Sequence, residues 1–216
     1  MKNLNIKTFI YILLGFSAII WFAFALIYSL DLTNFWNLIK LIPKVATLDL
    51  IIWMFFVRWG WRWKIFRGWL VPFPDLTGTW QGNIRTNWID GITNKEPSQI
   101  LTILSIRQTF GNISCVLRTA EMTSHSNIEG FKIDPNKQIR QLVYSYTSTP
   151  KPSVKARSAP HDGTVVFDMI GTPVSKLEGR YWTDRESTGE ISLFYREKKI
   201  LDEIPEDFFP HPVSKK

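Results

Sequence analysis

The 216-residue chain has 26 Lys and Arg against 19 Asp and Glu, a formal net charge of +7, with 45% hydrophobic residues and one cysteine. A single cysteine excludes an intrachain disulfide framework. The excess charge is not the footprint of a nucleic-acid-binding domain, because it lies almost entirely before residue 75: eight basic residues there face only Asp31 and Asp49, whereas the later residues balance eighteen basic against seventeen acidic.

The first predicted element is an apolar span from about Phe9 to Leu30 without a charged residue. At 1.5 Å per residue such a helix crosses the roughly 30 Å of bilayer hydrocarbon. A cleavable signal peptide has a shorter apolar region and small residues at its end. Here Trp21, Phe22 and Phe24 occupy those positions, so the span reads as retained. A second span is placed at about Leu41 to Gly60, with Pro43 and Lys44 in its first turn. That start puts Asp49 about a turn and a half into the helix, an interface position solvated by headgroups. The alternative is a functional carboxyl at membrane depth.

The run Arg58-Trp59-Gly60-Trp61-Arg62-Trp63-Lys64 ends the second span, and seven of the ten tryptophans precede residue 75. Amphipathic indoles and cations favour the headgroup zone, so this run is expected to anchor the chain at the interface and to couple the two spans to the domain beyond Pro74. Lys2, Lys7, Arg58, Arg62, Lys64 and Arg67 flank the two spans, while Lys40, Lys44 and Asp31 lie towards the connecting loop. The basic excess therefore places both termini in the cytosol.

From Leu76 the period changes to two. Leu76, Gly78, Trp80, Gly82, Ile84, Thr86 and Trp88 share one face of an extended segment. Similar alternation covers residues 99–108, 112–123, 126–133, 138–148, 163–171, 176–185 and 189–197. Turn sequences separate most of these runs: Asp90-Gly91, Gly111-Asn112, Asp134-Pro135-Asn136, His161-Asp162-Gly163 and Ser187-Thr188-Gly189. The fold class predicted is a membrane-anchored all-β protein. An N-terminal two-helix transmembrane hairpin (residues 1–70, with the basic tryptophan-rich junction) leads into an eight-stranded antiparallel lipocalin-like β-barrel (75–200) and a surface or disordered tail (201–216). Closure removes exposed edges, and at eight strands the interior is either packed or holds one small ligand.

Gly78-Thr79-Trp80 matches the Gly-x-Trp opening of lipocalin-like barrels. That resemblance implies Trp80 as a plug of one barrel end, with Arg196 on the last strand packing over it by a cation–π contact. A more specific combination adds Asp75-Leu76-Thr77-Gly78-Thr79-Trp80-Gln81-Gly82, Leu142-Val143-Tyr144-Ser145-Tyr146, His161-Asp162-Gly163-Thr164, and Leu177 to Arg185 with its Tyr181-Trp182-Thr183-Asp184-Arg185 block. Together with the hairpin this resembles the two-transmembrane β-barrel effectors of CBASS antiphage operons. The resemblance implies a barrel that binds a cyclic dinucleotide made by an associated CD-NTase cyclic-nucleotide synthase. It also implies self-association in the bacterial inner membrane and disruption of that membrane, an abortive-infection death. A Panoptes-like effector, restrained by the nucleotide and released on its depletion, is the alternative of opposite sign.

The residues offer compatible chemistry, because a cyclic dinucleotide needs cations, hydroxyl or amide donors and flat aromatic faces. The seventh strand carries Leu177, Gly179, Tyr181, Thr183 and Arg185 on one face, grading from apolar to polar, with Arg185 as the phosphate fork and Tyr181 as a wall. Tyr144, Tyr146 and Ser148 share a face of the fifth strand, and Thr86 and Trp88 end the first. Arg118, Ser124, Ser126 and His161 complete the candidates. Tyr144, Tyr146 and Trp88 serve equally as core or rim aromatics, and His161 as a turn residue. Cys115 sits in an apolar run and reads as a packed thiol. No phosphate loop, metal-spaced Cys/His cluster or nucleophile elbow is present. The expectation is therefore a non-enzyme without metal or cofactor, acting on neither DNA nor RNA. A membrane-tethered lipocalin-like carrier of an apolar ligand remains the competing class.

Overall fold

The computed structural model describes residues 6–30, 34–89, 94, 96–156 and 158–205. Lys2, Asp31, the Asp90-Gly91 turn and the tail beyond Pro205 lie outside the described residues. The chain forms two compact units, Leu4–Pro72 and the residues from Phe73 onward.

The first unit is a pair of helices, α1 (Ile6–Ile27) and α2 (Phe35–Arg58). Within Lys7–Ile27 an 18-residue stretch reaches a mean hydropathy of 2.5, and among the described helices α1 alone is long and apolar enough to cross a membrane. Helix α2 begins six residues before the expected Leu41, because Asn34 caps it: its Oδ1 accepts from the backbone N–H of Trp36 at 3.0 Å. Pro43 is consequently inside the helix rather than in its first turn. The early start also moves Asp49, which lies fourteen residues into α2, about 21 Å along the axis. It is a mid-helix residue rather than one about a turn and a half from the helix start. Contacts between α1 and α2 recur about every four residues: Ala25 with Leu41 and Val45, Ser17 with Asp49, and Phe9 with Trp53 and Phe56. The basic aromatic run folds into two single turns of 3₁₀ helix, Gly60–Arg62 and Lys64–Phe66, with Arg62 4.5 Å above the Trp61 ring.

The second unit is a closed barrel of β1 (Gly78–Thr86), β2 (Ile100–Gln108), β3 (Ile113–Thr119), β4 (Met122–Asp134), β5 (Ile139–Pro150), β6 (His161–Ile170), β7 (Lys176–Thr183) and β8 (Thr188–Glu197). Every strand pairs antiparallel with its sequence neighbours, and β8 returns to β1. Boundaries differ from the periodic reading at several strands: His161-Asp162-Gly163 pairs with β5 as the start of β6 rather than forming a turn, Thr188 and Gly189 open β8, and the third strand, read through to Thr123, ends at Thr119. The Thr119 hydroxyl accepts from the N–H groups of Met122 at 3.0 Å and Glu121 at 3.3 Å, and this local turn ends β3. β4 then runs for thirteen residues with a bulge between Ser126 and Ile128.

β3 and β4 pair only from Val116 to Arg118. Beyond that point the strands part, and the Cys115 N–H donates to the Ser126 hydroxyl (2.9 Å) rather than to a ladder carbonyl. On the barrel side of the chain's entry, Phe73 stacks on Phe131 (centroids 5.4 Å, nearly parallel) and meets Phe110 at 6.0 Å. The Gln108 amide clamps the entering strand, accepting from Leu76 N–H at 2.8 Å and donating to the Pro74 carbonyl at 2.9 Å.

The interior at this end is closed. Trp80, Leu104, Ile106, Cys115, Leu142, Phe167, Leu177 and Leu193 are almost wholly buried. The Trp80 indole N–H donates to the Leu76 carbonyl at 3.0 Å, and the ring meets Tyr195 edge-on at 5.2 Å. Arg196 does not cover it. The β1–β8 register jumps from Thr79↔Glu197 to Trp80↔Tyr195, leaving Arg196 as the extra residue of a bulge. Its guanidinium turns outward and donates to Gln81 Oε1 at 2.8 Å. Outside the wall, Lys199 to Leu201 are pinned over β1 and β2: Thr79 Oγ1 donates to the Lys199 carbonyl, and Ser105 Oγ to that of Leu201, both at 2.6 Å.

Candidate functional site

The other end of the barrel is open. It lies about 26 Å along β1 from Gly78, at 3.3 Å per residue, so the mouth is opposite the end where the chain enters. A cavity of about 130 Å³ lies here. Its inner part is apolar, built from Ile84, Leu117, Tyr144, Val165 and Ile191, and its rim carries Thr119, Ser124, Ser148, His161, Arg185 and Ser187.

Two tyrosines dominate the walls, and each is seated over a glycine on the next strand. Tyr146 on β5 pairs in register with Gly163 on β6. A Cβ at Gly163 would stand 2.6 Å from the Tyr146 Cζ and hydroxyl. Tyr181 on β7 pairs with Gly189 on β8, where a Cβ would stand 2.6 Å from Tyr181 Cε1. The missing side chains let both rings lie against the wall and leave the lumen open. Tyr144 meets Tyr146 edge-on at 6.2 Å, and Tyr146 meets His161 at 6.4 Å.

Burial pushes the Tyr146 phenol far up, with Tyr181 and Asp184 adding to the shift and Arg185 opposing it. Tyr181 is raised by burial, against which its hydrogen bond to Thr86 and the Arg185 charge act. Both therefore present neutral O–H groups to the cavity. His161 is held below its ordinary value, first by burial and then by the Arg185 charge, so it is a neutral imidazole at pH 7. Arg185 Nη1 donates to the Ala159 carbonyl at 3.2 Å, which the His161 Nδ1 also approaches at 3.3 Å. One fixed carbonyl thus positions both rim groups. Among the described lining residues Arg185 is the only full cation.

Of the residues singled out in the sequence, Thr86, Trp88, Tyr144, Tyr146, His161, Tyr181, Arg185 and Ser124 line this one cavity. Three others do not. Arg118 alternates with the inward Leu117 and Thr119, faces outward and donates to the Leu201 carbonyl at 3.4 Å. Thr183 spends its hydroxyl on the β7–β8 turn, 2.7 Å from Ser187 Oγ and accepting from the Arg185 N–H at 3.3 Å. It shapes the loop that presents Arg185. Ser126 donates to Glu129 and supports the parted β3–β4 seam. Cys115 is fully buried in the core and burial drives its thiol pKa up, as befits a packed group.

Sequence reasoning missed Glu121, which the alternation places inside the third strand, and Ser158 and Ser187, which reach the rim from loops. It also missed the roles of Gly163 and Gly189, although glycine within a strand was an available cue. No group of three His, Cys, Asp or Glu among the described residues is placed to hold a metal ion.

A family model for the Cap15 cyclic dinucleotide receptor domain matches residues 71–194. The chain is 27% identical over 181 residues to CD-NTase-associated protein 15 of Staphylococcus schleiferi, covering 83% of this chain and 91% of the relative. An alignment of that length exceeds the 144 residues from Phe73 onward and therefore extends into the helical unit. The receptor-domain match spans the strands that build the mouth and more than half of the chain: the protein belongs to the Cap15 family of CBASS effectors, and its barrel is a cyclic dinucleotide receptor domain.

Proposed function

We propose that both helices insert in the inner membrane with the barrel in the cytosol. In this reading a cyclic dinucleotide taken up at the mouth drives self-association, and the assembled hairpins disrupt the membrane, killing the infected cell. The observation that carries the ligand side is the mouth itself: an apolar floor walled by neutral tyrosines beneath a rim with one guanidinium. Bases suit the aromatic walls, and a phosphate suits the Arg185 fork.

The size and charge of the cavity also support a particular pose. At about 130 Å³ it is well below the roughly 300–1,000 Å³ of sites that engulf a drug-sized ligand. A cyclic dinucleotide carries two phosphates, and the described lining provides one cation. We therefore place one base in the barrel and one phosphate on Arg185, with the other half of the ring towards the rim and solvent. The membrane side rests on the apolarity of α1, on the interfacial chemistry of the Trp/Arg run, and on an alignment that continues into the helices.

The test uses full-length protein in lipid vesicles loaded with a self-quenched dye, titrated with a panel of cyclic dinucleotides. A thermal shift and dye release at the same nucleotide concentration are expected. Release that falls as nucleotide is added would reverse the sign of regulation, and a thermal shift without release would remove the killing step.

A further inference from the structure

The described cavity lining carries one cation, Arg185, whereas a cyclic dinucleotide brings two phosphates. The rest of the rim offers neutral hydroxyls and the Glu121 carboxyl, which has the same sign as a phosphate. The connection between β5 and β6 is rich in the missing charge. Between Pro150 and His161 the sequence has three basic residues and no acidic one. Two of them, Lys151 and Lys155, belong to the described residues.

This connection is held from both sides of the mouth. It opens on a single 3₁₀ turn, Pro152–Val154, with Val154 buried, and the Ser158 N–H closes a further turn on the Val154 carbonyl at 3.0 Å. The Lys151 N–H donates to the Glu121 carbonyl at 2.8 Å, and Ser158 Oγ to Met122 Sδ at 3.5 Å, which ties the connection to the β3–β4 turn. Arg185 Nη1 ties it to the β7–β8 turn through the Ala159 carbonyl. In a closed ring of eight strands those two turns are four strands apart, on opposite sides of the mouth, with the β5–β6 connection midway between them. The connection is part of the rim, since Ser158 lines the cavity.

None of these tethers uses a lysine ammonium. Lys151 and Lys155 are exposed, and neither forms an ion pair among the described residues. Lys155 has helical backbone angles (φ −57°, ψ −32°) and precedes Ala159 by four residues, about 6 Å at helical rise. Its flexible four-carbon stem brings the ammonium towards the group that Arg185 holds. In the ring, the second phosphate is one sugar away from the first.

Resting on the nucleotide reading proposed above, we infer that the β5–β6 connection is the site of the second phosphate, taken by the ammonium groups of Lys151 and Lys155 while Arg185 holds the first. Lysine suits this position. The second phosphate is in water at the rim, where a mobile point charge attracts it without a fixed fork, and where salt screens the attraction.

The experiment titrates full-length wild type, Lys151→Gln/Lys155→Gln, Lys151→Arg/Lys155→Arg, and a control beyond β8 at the closed end, Lys198→Gln/Lys199→Gln. Cyclic di-AMP, cyclic di-GMP, cyclic GMP–AMP and cyclic di-UMP are the probes, at about 50 and about 500 mM salt. Titration calorimetry reads affinity, and melting without nucleotide reads folding. With a probe that binds wild type, the glutamine pair is expected to lose about three- to tenfold in affinity at low salt and little at high salt, the scale of exposed charge pairs. Its melting without nucleotide stays at the wild-type temperature, because neither lysine has an ion pair to lose. The arginine pair keeps wild-type affinity, and so does the control. Unchanged affinity in the glutamine pair, or an equal loss in the control, overturns this inference and leaves the nucleotide reading standing. A wild type that binds none of the probes overturns the pose proposed for the mouth, and this inference with it.

Discussion

Gly163→Ala tests the architecture of the mouth without removing a charged or hydrogen-bonding group. The added Cβ would lie 2.6 Å from the far end of the Tyr146 ring and 2.8 Å from the Trp182 carbonyl oxygen. Ordinary contact for such atoms begins near 3.4 Å, so the ring must give by about 0.8 Å and the β6–β7 ladder by about 0.6 Å. The ring can swing only inward, because β6 lies behind it, and swinging inward closes the lumen. Overpacking of this kind costs about 1–3 kcal/mol, which lowers the melting temperature of a domain near this size by about 2–4 °C per kcal/mol.

The expected result is a protein that folds, melts several degrees lower, and binds cyclic dinucleotide at least about tenfold more weakly, a change worth about 1.4 kcal/mol. Adding Tyr146→Leu removes the clash, so the double variant should melt above the sum of the single effects while still binding poorly. Differential scanning calorimetry and titration calorimetry read the two quantities separately. Strictly additive melting shifts, or wild-type affinity in Gly163→Ala, would refute the role assigned to this glycine.

Three further outcomes are expected from the geometry. Arg185→Ala should raise the dissociation constant for a cyclic dinucleotide about 10- to 150-fold, the equivalent of a charge-assisted hydrogen bond of about 1.5–3 kcal/mol, and should flatten its salt dependence; a fluorescence-polarisation titration at two ionic strengths checks both. His161 is held below its unfolded value near 6.5, so its contribution to stability is complete above that pH and declines as pH falls from about 6.5 towards its folded pKa. An incoming phosphate favours the imidazolium, so nucleotide affinity should rise from pH 8 to pH 6 in wild type and stay level in His161→Gln, measured in buffers of different ionisation enthalpy. Gln108→Ala strips the buried Leu76 N–H and the Pro74 carbonyl of their partner and should cost about 1–3 kcal/mol of barrel stability, seen in a urea melt, with nucleotide affinity unchanged because the clamp is at the closed end.

The periodic signals transferred to structure where one face of a strand meets a core and the other does not. β7 and β5 alternate as read, and both present their tyrosines to the lumen. The boundary between β3 and β4 did not transfer, because a single Thr119 side chain supplies a turn that interrupts an otherwise continuous alternation. The start of α2 was misplaced for a similar reason: Asn34 supplies a cap, and the helix then runs through Pro43. Arg118 was drawn to the site by its residue type. The strand pleat, counted from the buried Leu117, turns it the other way.

The sequence alone determined the element order, the barrel class, most strand faces and the family. All of these rest on period, composition and short motifs, which are local properties of the chain. Only the tertiary structure decided which end of the barrel is open, that Gly163 and Gly189 make room for Tyr146 and Tyr181, that Arg196 is displaced by a bulge, and that Ser17 finds Asp49 across thirty-two residues. Those facts depend on register between strands and helices distant in sequence, where a shift of one residue reverses every facing.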